Sequence, residues 1–159
     1  MIHVPGTLTV VAVGKLRTPH WLAAQTDYLE RLQHYLTVRL VEVRDVLGTG
    51  VPDHVAIQQE GEQLLETASA AHHSIALDEK GKHATSVGFS RYLQRRLEIH
   101  GRLAFLIGGP VGLSDEALEK SDERLALSMM TLPHELARVL LLEQIYRAMT
   151  ILSGQSYHK

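Results

Sequence analysis

The sequence contains no cysteine. Disulfide bonds, iron–sulfur ligation and thiolate zinc sites are therefore excluded, and the absence fits a protein of the reducing cytoplasm. No apolar run approaches the roughly 20 residues that a membrane-spanning helix needs. Residues 1–6 also lack the charged and apolar regions of a signal peptide. We therefore expect a cytoplasmic protein with no membrane partner.

Several motifs for catalysis and nucleotide binding are missing as well. There is no Gly-x-Gly-x-x-Gly fingerprint and no Gly-x-x-x-x-Gly-Lys-Ser/Thr loop, which argues against a dinucleotide or ATP site built on a phosphate cradle. The sequence also lacks a Gly-x-Ser-x-Gly elbow and a His-Glu-x-x-His pair. His72 and His73 are adjacent, so they cannot share one helix face as metal ligands would. We expect no metal.

An excess of basic residues is also lacking, since the formal net charge is −2. General nucleic-acid binders carry a strongly basic face, so a nucleic-acid partner of this chain would have to meet a local basic patch. Arg91, Arg95 and Arg96, together with Lys15 and Arg17, are candidates for that patch. A solvated helix face is the more common meaning of such residues.

What the sequence does contain is one α/β domain, residues 1–159, with 45% hydrophobic and 21% charged residues. Short β-branched runs alternate with amphipathic stretches, and Ser114 is placed to cap one of the helices. The predicted strands are 8–13, 38–43, 74–77, 102–107 and 125–130, and the predicted helices are 20–35, 52–70, 86–98, 115–120 and 135–152. This alternation predicts a mainly parallel sheet with helices on both faces, and the second strand lies nearer an edge.

Three consecutive strands end in unusual residues. These ends are Leu77-Asp78, the glycine-rich stretch 108–112 and the loop 128–133. Ligands of open parallel sheets bind outside the carboxyl ends of the strands, and glycine lets a backbone approach a ligand closely. The alternative is that these segments are ordinary tight turns.

The last predicted helix carries a wide apolar stripe. Val139, Leu140, Leu142 and Ile145 are joined by Leu141 and Met149, which is wider than a surface helix of a monomer needs. Either a subunit interface or burial inside one domain accounts for this width. After the helix comes a tail, residues 157–159, which composition alone would describe as a frayed terminus.

Motifs along nearly the whole chain carry a family resemblance. The sequence resembles the ribosomal RNA large subunit methyltransferase H family, the pseudouridine N3-methyltransferases of the SPOUT superfamily. The matching blocks are residues 11–15, 60–65, 76–82, 105–113, 127–134, 138–139, 143–148 and 157–159. Each block alone is a weak signal, but their order and spacing at this chain length make a specific one.

The resemblance implies a homodimer that uses S-adenosylmethionine and has a trefoil knot in its C-terminal part. Physical reasoning alone would not predict a knot, because threaded chains are rare. The resemblance also implies a cofactor pocket in which the adenine lies among apolar side chains and bonds to backbone groups. The implied pocket residues are Leu77, Gly108, Gly109, Leu127, Ser128, Met129, Met130, Thr131 and Leu132.

The substrate that the resemblance implies is a pseudouridine in a stem-loop of 23S rRNA (helix 69), methylated on N3 in the assembled ribosome. This chain departs from the family at Met129-Met130, where one small or basic residue is usual, and in the extra residues 1–6. The loop 47–52 also lacks the lysines that some relatives carry, which argues against RNA contact there.

N3 of pseudouridine is a weakly acidic imide nitrogen, so an enzyme must remove its proton or stabilise charge on the flanking carbonyl oxygens. The resemblance places the tail over the partner's pocket. We expect Arg147 or the tail to stabilise that charge, Tyr157 to stack on or hydrogen-bond to the base, and His158 to bind phosphate or relay the proton. His134 is the other candidate base.

Two alternatives stay open from the sequence. The first is a non-catalytic, ribosome-associated binding protein that has kept the fold. The second is a SPOUT enzyme that acts on transfer RNA or on another ribosomal nucleotide.

Overall fold

The computed structural model describes residues 3–159, and Met1 and Ile2 of the amino-terminal extension lie outside this range. Strands and helices alternate along the chain, as the sequence predicted. The strands are Thr7–Val13 (β1), Thr37–Val43 (β2), His73–Lys82 (β3), Arg102–Ile107 (β4) and Glu123–Leu125 (β5). The helices are Pro19–Leu32 (α1), Asp53–Ala68 (α2), Ser86–His100 (α3), Asp115–Lys120 (α4) and His134–Leu152 (α5).

The five strands form one parallel sheet in the order β2-β1-β4-β3-β5. The sequence is therefore right that β2 lies at an edge. Strand β1 is interior to the sheet, and its Leu8, Val10, Val11 and Ala12 are all fully buried. Burial on both faces of a strand requires helices on both sides of the sheet, which explains the continuous apolar run of β1.

Alternate residues of β1 face two different hydrophobic cores. Leu8, Val10 and Ala12 pack in the core that α1, α3 and α5 complete. Val11 and Val13 lie in the second core, which α2 covers. The short helix α4 packs beside α2. The predicted layering, with helices on both faces, is confirmed.

Local signals fix several helix ends. Pro19 opens α1, where its missing N–H has no helical partner to lose. Ser114 Oγ accepts the backbone N–H of Ala117 at 3.1 Å, which is the predicted cap of α4. Helix α1 ends at Leu32 and not at the predicted residue 35. Leu22 shares the helical spacing of Leu29 and Leu32 but is 44% exposed.

The last strand is the main error of the sequence prediction. Strand β5 covers Glu123–Leu125 and not 125–130, and it pairs with β3 at residues 75–77. The N–H of Ala126 still bonds to the Lys82 carbonyl, but the chain then leaves the sheet. Ser128 Oγ accepts the Met130 N–H at 2.9 Å, a local bond that competes with strand pairing. An apolar run here indicated a strand where the structure has a loop.

No helix within residues 3–159 combines the length and the apolar character that crossing a bilayer requires. The trefoil knot implied by the resemblance stays a prediction.

Candidate functional site

A cleft of about 970 Å³ opens at the carboxyl ends of β3, β4 and β5. Its walls come from the three segments whose composition suggested a ligand site. Every residue predicted to bind the cofactor, except Met129, lines the cleft: Leu77, Gly108, Gly109, Leu127, Ser128, Met130, Thr131 and Leu132. His134, a candidate base, lines it as well. Met129 is 81% exposed and lies outside the lining.

The glycine-rich wall of the cleft is a tight turn that ends β4. The Gly112 N–H donates to the Gly109 carbonyl at 3.0 Å. A Cβ at Gly108 would lie 2.5 Å from the carbonyl carbon of Gly112, so this position tolerates only glycine. The turn leads directly into the cap of α4 at Ser114. At Gly108, Gly109 and Gly112 this turn presents backbone to the cleft without a side chain in between.

The opposite wall is the loop between β5 and α5, residues 126–133. Thr131 Oγ1 donates to Glu79 Oε2 at 2.6 Å, which ties this loop to the extended end of β3. Leu127 and Leu132 are half-buried, whereas Met130 is exposed at the rim. A loop outside the ladder leaves its backbone N–H and carbonyl groups available to a ligand.

Charged groups also line the cleft. Asp78 Oδ2 lies 3.9 Å from Arg124 Nη1, and Asp78 Oδ1 accepts the Lys80 N–H at 3.2 Å. Glu79 and Asp115, the latter in the first turn of α4, are further carboxylates in the lining. Apolar walls with a few convergent polar groups suit a ligand that has an apolar ring and a charged end.

The amino-terminal part of α5 is fixed to the sheet by a buried arginine. Arg138 is 1% exposed and pairs with Glu42. Its Nη2 also donates to the carbonyls of Val13 at 3.3 Å and Gly14 at 2.9 Å. The sequence placed Arg138 on the helix without a role, and the only signal for one was a charged residue beside an apolar stripe.

The tail packs on α5 of its own chain and is not frayed. Arg147 Nη2 and Tyr157 Oη both donate to Glu143 Oε1, at 2.6 and 3.1 Å. Arg147 Nη1 lies 3.3 Å from His158 Nδ1, and its guanidinium lies 4.8 Å from the centre of the Tyr157 ring. We call Glu143, Arg147, Tyr157 and His158 the tail cluster. The sequence did not reveal that Glu143 joins it.

Protonation in the tail cluster follows from these contacts. Burial raises the pKa of Tyr157, and so do the neighbouring Tyr28 hydroxyl and the Glu143 carboxylate. The hydrogen bond to Glu143 raises the pKa of Arg147. At neutral pH Tyr157 is therefore a neutral phenol that donates a hydrogen bond, and Arg147 is a cation. Tyr157 suits stacking or hydrogen bonding and does not suit the role of a base.

The predicted catalytic residues fall into two groups within one chain. His134 lines the cleft, whereas Arg147, Tyr157 and His158 belong to the tail cluster and do not line it.

The apolar stripe of α5 is not evidence for a subunit interface that would bring the two groups together. Leu141, Leu142, Ile145 and Met149 are fully buried inside the single chain. Burial within one domain therefore accounts for the width of the stripe.

Arg96 does not belong to a free basic patch. Its guanidinium binds both carboxylate oxygens of Glu123, at 2.6 and 2.7 Å. The Tyr92 hydroxyl lies 2.8 Å and His73 Nε2 2.6 Å from the same carboxylate. The hydrogen bond from Arg96 lowers the pKa of Glu123 to about 2, against the opposing effect of burial. Arg91 and Arg95 are exposed, as are Lys15 and Arg17.

His73, one of the adjacent histidines, stacks on His100 with 4.1 Å between the ring centres. In the part of the chain that the structure describes, no group of histidine and carboxylate side chains could hold a metal ion.

Comparison with known proteins shows the family to which this chain belongs. A family model described as a predicted SPOUT methyltransferase matches residues 7–158. The ribosomal RNA large subunit methyltransferase H of Nitratidesulfovibrio vulgaris is 40% identical over 153 residues, which is 96% of this chain and 97% of that one. The chain belongs to the ribosomal RNA large subunit methyltransferase H family.

Solved structures show the same fold at low identity. A probable methyltransferase from Bordetella pertussis aligns with a TM-score of 0.61 at 15% identity, covering 91% of this chain and 96% of that one. A putative methyltransferase from Legionella pneumophila, in complex with its bound cofactor SAM, has a TM-score of 0.50 at 13% identity, with 91% and 66% covered. The resemblance to methyltransferase H and the predicted α/β fold are thus confirmed.

Proposed function

We propose that the chain is an S-adenosylmethionine-dependent methyltransferase that acts on N3 of a pseudouridine in a 23S rRNA stem-loop, helix 69, on the assembled ribosome. The observation that carries the proposal is the convergence of three strand ends on one cleft. The cleft unites the segments that the family resemblance assigns to the cofactor. Membership of a methyltransferase family supports the reaction class.

The residues of the cleft fit S-adenosylmethionine. Leu77, Leu127 and Leu132 offer apolar surface for an adenine ring, and the loop 126–133 offers free backbone groups for its polar edge. Asp78 and Asp115 are carboxylates that suit an ammonium group or ribose hydroxyls. When bound, this cofactor supplies a methyl group on a positively charged sulfur, ready for in-line attack. A structural neighbour with SAM bound supports the same cofactor.

The tail cluster suits the developing charge on the base. Removal of the N3 proton places negative charge on the flanking carbonyl oxygens, and a fixed cation lowers the cost of that charge. Arg147 is such a cation, held by Glu143 and by the ring of Tyr157. Tyr157 is available to stack on the base or donate to it, and His158 to bind phosphate or relay the proton. His134 in the cleft is the second candidate for the proton transfer.

The separation of cleft and tail supports a homodimer. One chain does not bring Arg147, Tyr157 and His158 to its own cleft, so we propose that each tail closes over the cleft of the partner. Met129, Met130 and Val111 are 81%, 78% and 51% exposed beside the cleft. A partner subunit would cover this apolar rim.

The overall charge supports an assembled ribosome as the substrate. A chain with a net charge of −2 gains little from the release of counterions by free RNA. Docking on a particle that offers protein surface as well as RNA reduces the need for a strongly basic binding face. The exposed Arg91, Arg95, Lys15 and Arg17 remain available for phosphate contacts.

Purified protein tests the proposal when it is incubated with labelled S-adenosylmethionine and undermodified 70S ribosomes, 50S subunits, free 23S rRNA or transfer RNA. We expect transfer to 70S ribosomes and little to the free RNAs. Transfer to tRNA would support a tRNA enzyme instead. Cofactor binding with no transfer to any RNA, or no binding in calorimetry, would favour a non-catalytic ribosome-associated protein.

A further inference from the structure

A buried carboxylate lies behind the cleft and has no part in the transfer proposed above. Glu60, on α2, is 2% exposed. Its Oε2 accepts the backbone N–H groups of Val46 at 2.9 Å and Leu47 at 3.0 Å. Its Oε1 is also buried, and no donor within residues 3–159 reaches it. A buried acceptor without a donor costs stability, so its presence calls for an explanation beyond packing.

The free oxygen of Glu60 lies against the glycine-rich wall of the cleft. A Cβ placed on Gly109 would lie 3.6 Å from Glu60 Oε1 and 3.3 Å from Val13 Cγ1. The next residue of α2 supports the other end of the same wall. A Cβ on Gly61 would lie 2.2 Å from Ser114 Oγ, so α2 and the start of α4 are in close contact. Glu60 thus packs against the start of the segment 108–114, and Gly61 packs against its end.

Glu60 also connects this wall to a second loop. Val46 and Leu47 belong to the connection between β2 and α2, at the same carboxyl edge of the sheet as the cleft. Hydrogen bonds from backbone N–H groups to a carboxylate are charge-assisted and therefore among the stronger ones. One side chain consequently fixes the position of one loop and packs against the other.

We propose that Glu60 is a positioning residue for the cofactor cleft, holding the loop at 46–47 in place and fixing the packing of Gly109 so that the cofactor meets a preformed wall. The inference rests on the proposed function, because it takes S-adenosylmethionine as the ligand. Glu60 lies behind the wall and does not touch the ligand. A ligand site of this kind loses affinity when the residues that support its contacting groups are left unfixed.

Calorimetry with S-adenosylmethionine on the full-length variants E60A, E60Q and E62A tests the inference, together with hydrogen exchange of the cofactor-free proteins. Glu62 lies on the same helix and is exposed, so E62A is the matched control. We expect E60A to weaken binding by about tenfold or more while the protein stays folded. We expect E60Q to stay within about threefold of wild type, because its amide oxygen can accept both N–H groups. Exchange at 46–47 and 109–113 should be faster in E60A than in E62A.

An E60A protein that binds S-adenosylmethionine with wild-type affinity, or whose exchange at 109–113 stays at the wild-type rate, would overturn the inference. Should E60A not fold, E60D takes its place, since its shorter side chain cannot reach both loops. The same tenfold loss is expected for E60D, and wild-type affinity would overturn the inference. A wild-type chain that fails to bind S-adenosylmethionine would instead refute the proposed function, which distinguishes the two failures.

Discussion

Arg147 contacts the other three members of the tail cluster, Glu143, Tyr157 and His158. A guanidinium held in this way is preorganised and does not need to move when charge develops beside it. Its pKa is raised by the hydrogen bond to Glu143, so it is fully charged at any physiological pH. These are the properties expected of a group that stabilises the transition state.

Replacing this residue should therefore affect transfer more than binding. For R147A we expect methyl transfer to fall by about a hundredfold, the loss typical when one stabilising donor is removed. S-adenosylmethionine affinity should stay close to wild type, because Arg147 does not line the cleft. Single-turnover transfer and calorimetry measure the two effects, and R91A, an exposed arginine on α3, is the control. An R147A protein whose oligomeric state differs from that of wild type would show that Arg147 is structural.

Arg138 and Glu42 form an ion pair in which the arginine is fully buried. Removing one partner of a buried ion pair leaves a charge or polar groups without compensation, which costs about 3 kcal/mol. R138M should therefore lower the free energy of unfolding by about that much, as measured by urea denaturation. The double variant R138M/E42Q should cost less than the sum of the two single variants. Additive losses would mean that the pair is not coupled.

Among the elements, β5 is short and depends on side chains for its attachment. Glu123 of β5 receives hydrogen bonds from Arg96 and Tyr92 of α3 and lies 2.6 Å from His73 of β3. Because β5 pairs only with β3 within the described sheet, this carboxylate is the main polar link between the edge strand and its covering helix. The loop that follows β5 forms a wall of the cleft, so the attachment also bears on the site.

Stability should therefore depend on the ionisation of Glu123. Its pKa is lowered to about 2 in the folded protein, against about 4.3 when unfolded. The stabilisation is present above the unfolded pKa and is lost as pH falls towards the folded one. At pH 7, E123Q should be less stable than wild type by about 2 kcal/mol. The difference should shrink between about pH 5 and pH 2.

Urea unfolding across that pH range measures this effect, with E98Q as the control because Glu98 is exposed on α3. We expect E98Q to follow wild type at every pH. A gap between wild type and E123Q that stays constant from pH 7 to pH 3 would show that the ionised carboxylate is not the source of the stabilisation.

Element boundaries show which local signals can be read from sequence. The buried strand β1, the cap at Ser114 and the turn at Gly108 each have a cause within a few residues, and each was predicted. The error at β5 has a different origin. An apolar stretch at 125–130 predicts a strand only if a neighbour is available to pair with it, and the chain leaves β3 after residue 126.

For the whole molecule, the alternation of strands and helices predicted the class of fold, and the family resemblance predicted the cleft residues. Physical reasoning on the sequence could not have found the contact of Glu60 with Gly109, or the return of Tyr157 to Glu143. Both depend on how distant segments meet in three dimensions. The sequence could also not decide between interface and interior for α5, because both give a wide apolar stripe.

If the site is assembled from two chains, as proposed above, two inactive variants should restore activity when their subunits are mixed. R147A should disable the tail cluster, and L132W should fill the cleft, so each variant alone is expected to be inactive. In a mixture that has exchanged subunits, heterodimers carry one intact site, and we expect about a quarter of wild-type transfer. Mixtures that stay inactive, with heterodimers confirmed by native mass spectrometry, would argue against a shared site.

Mass mapping of 23S rRNA from a strain that lacks this protein tests the proposed reaction most directly. We predict that one pseudouridine of helix 69 lacks its methyl group on N3 in that strain. The wild-type gene should restore it, and R147A should not. Unchanged methylation of 23S rRNA in that strain, or a methyl group missing from tRNA instead, would refute the proposed function.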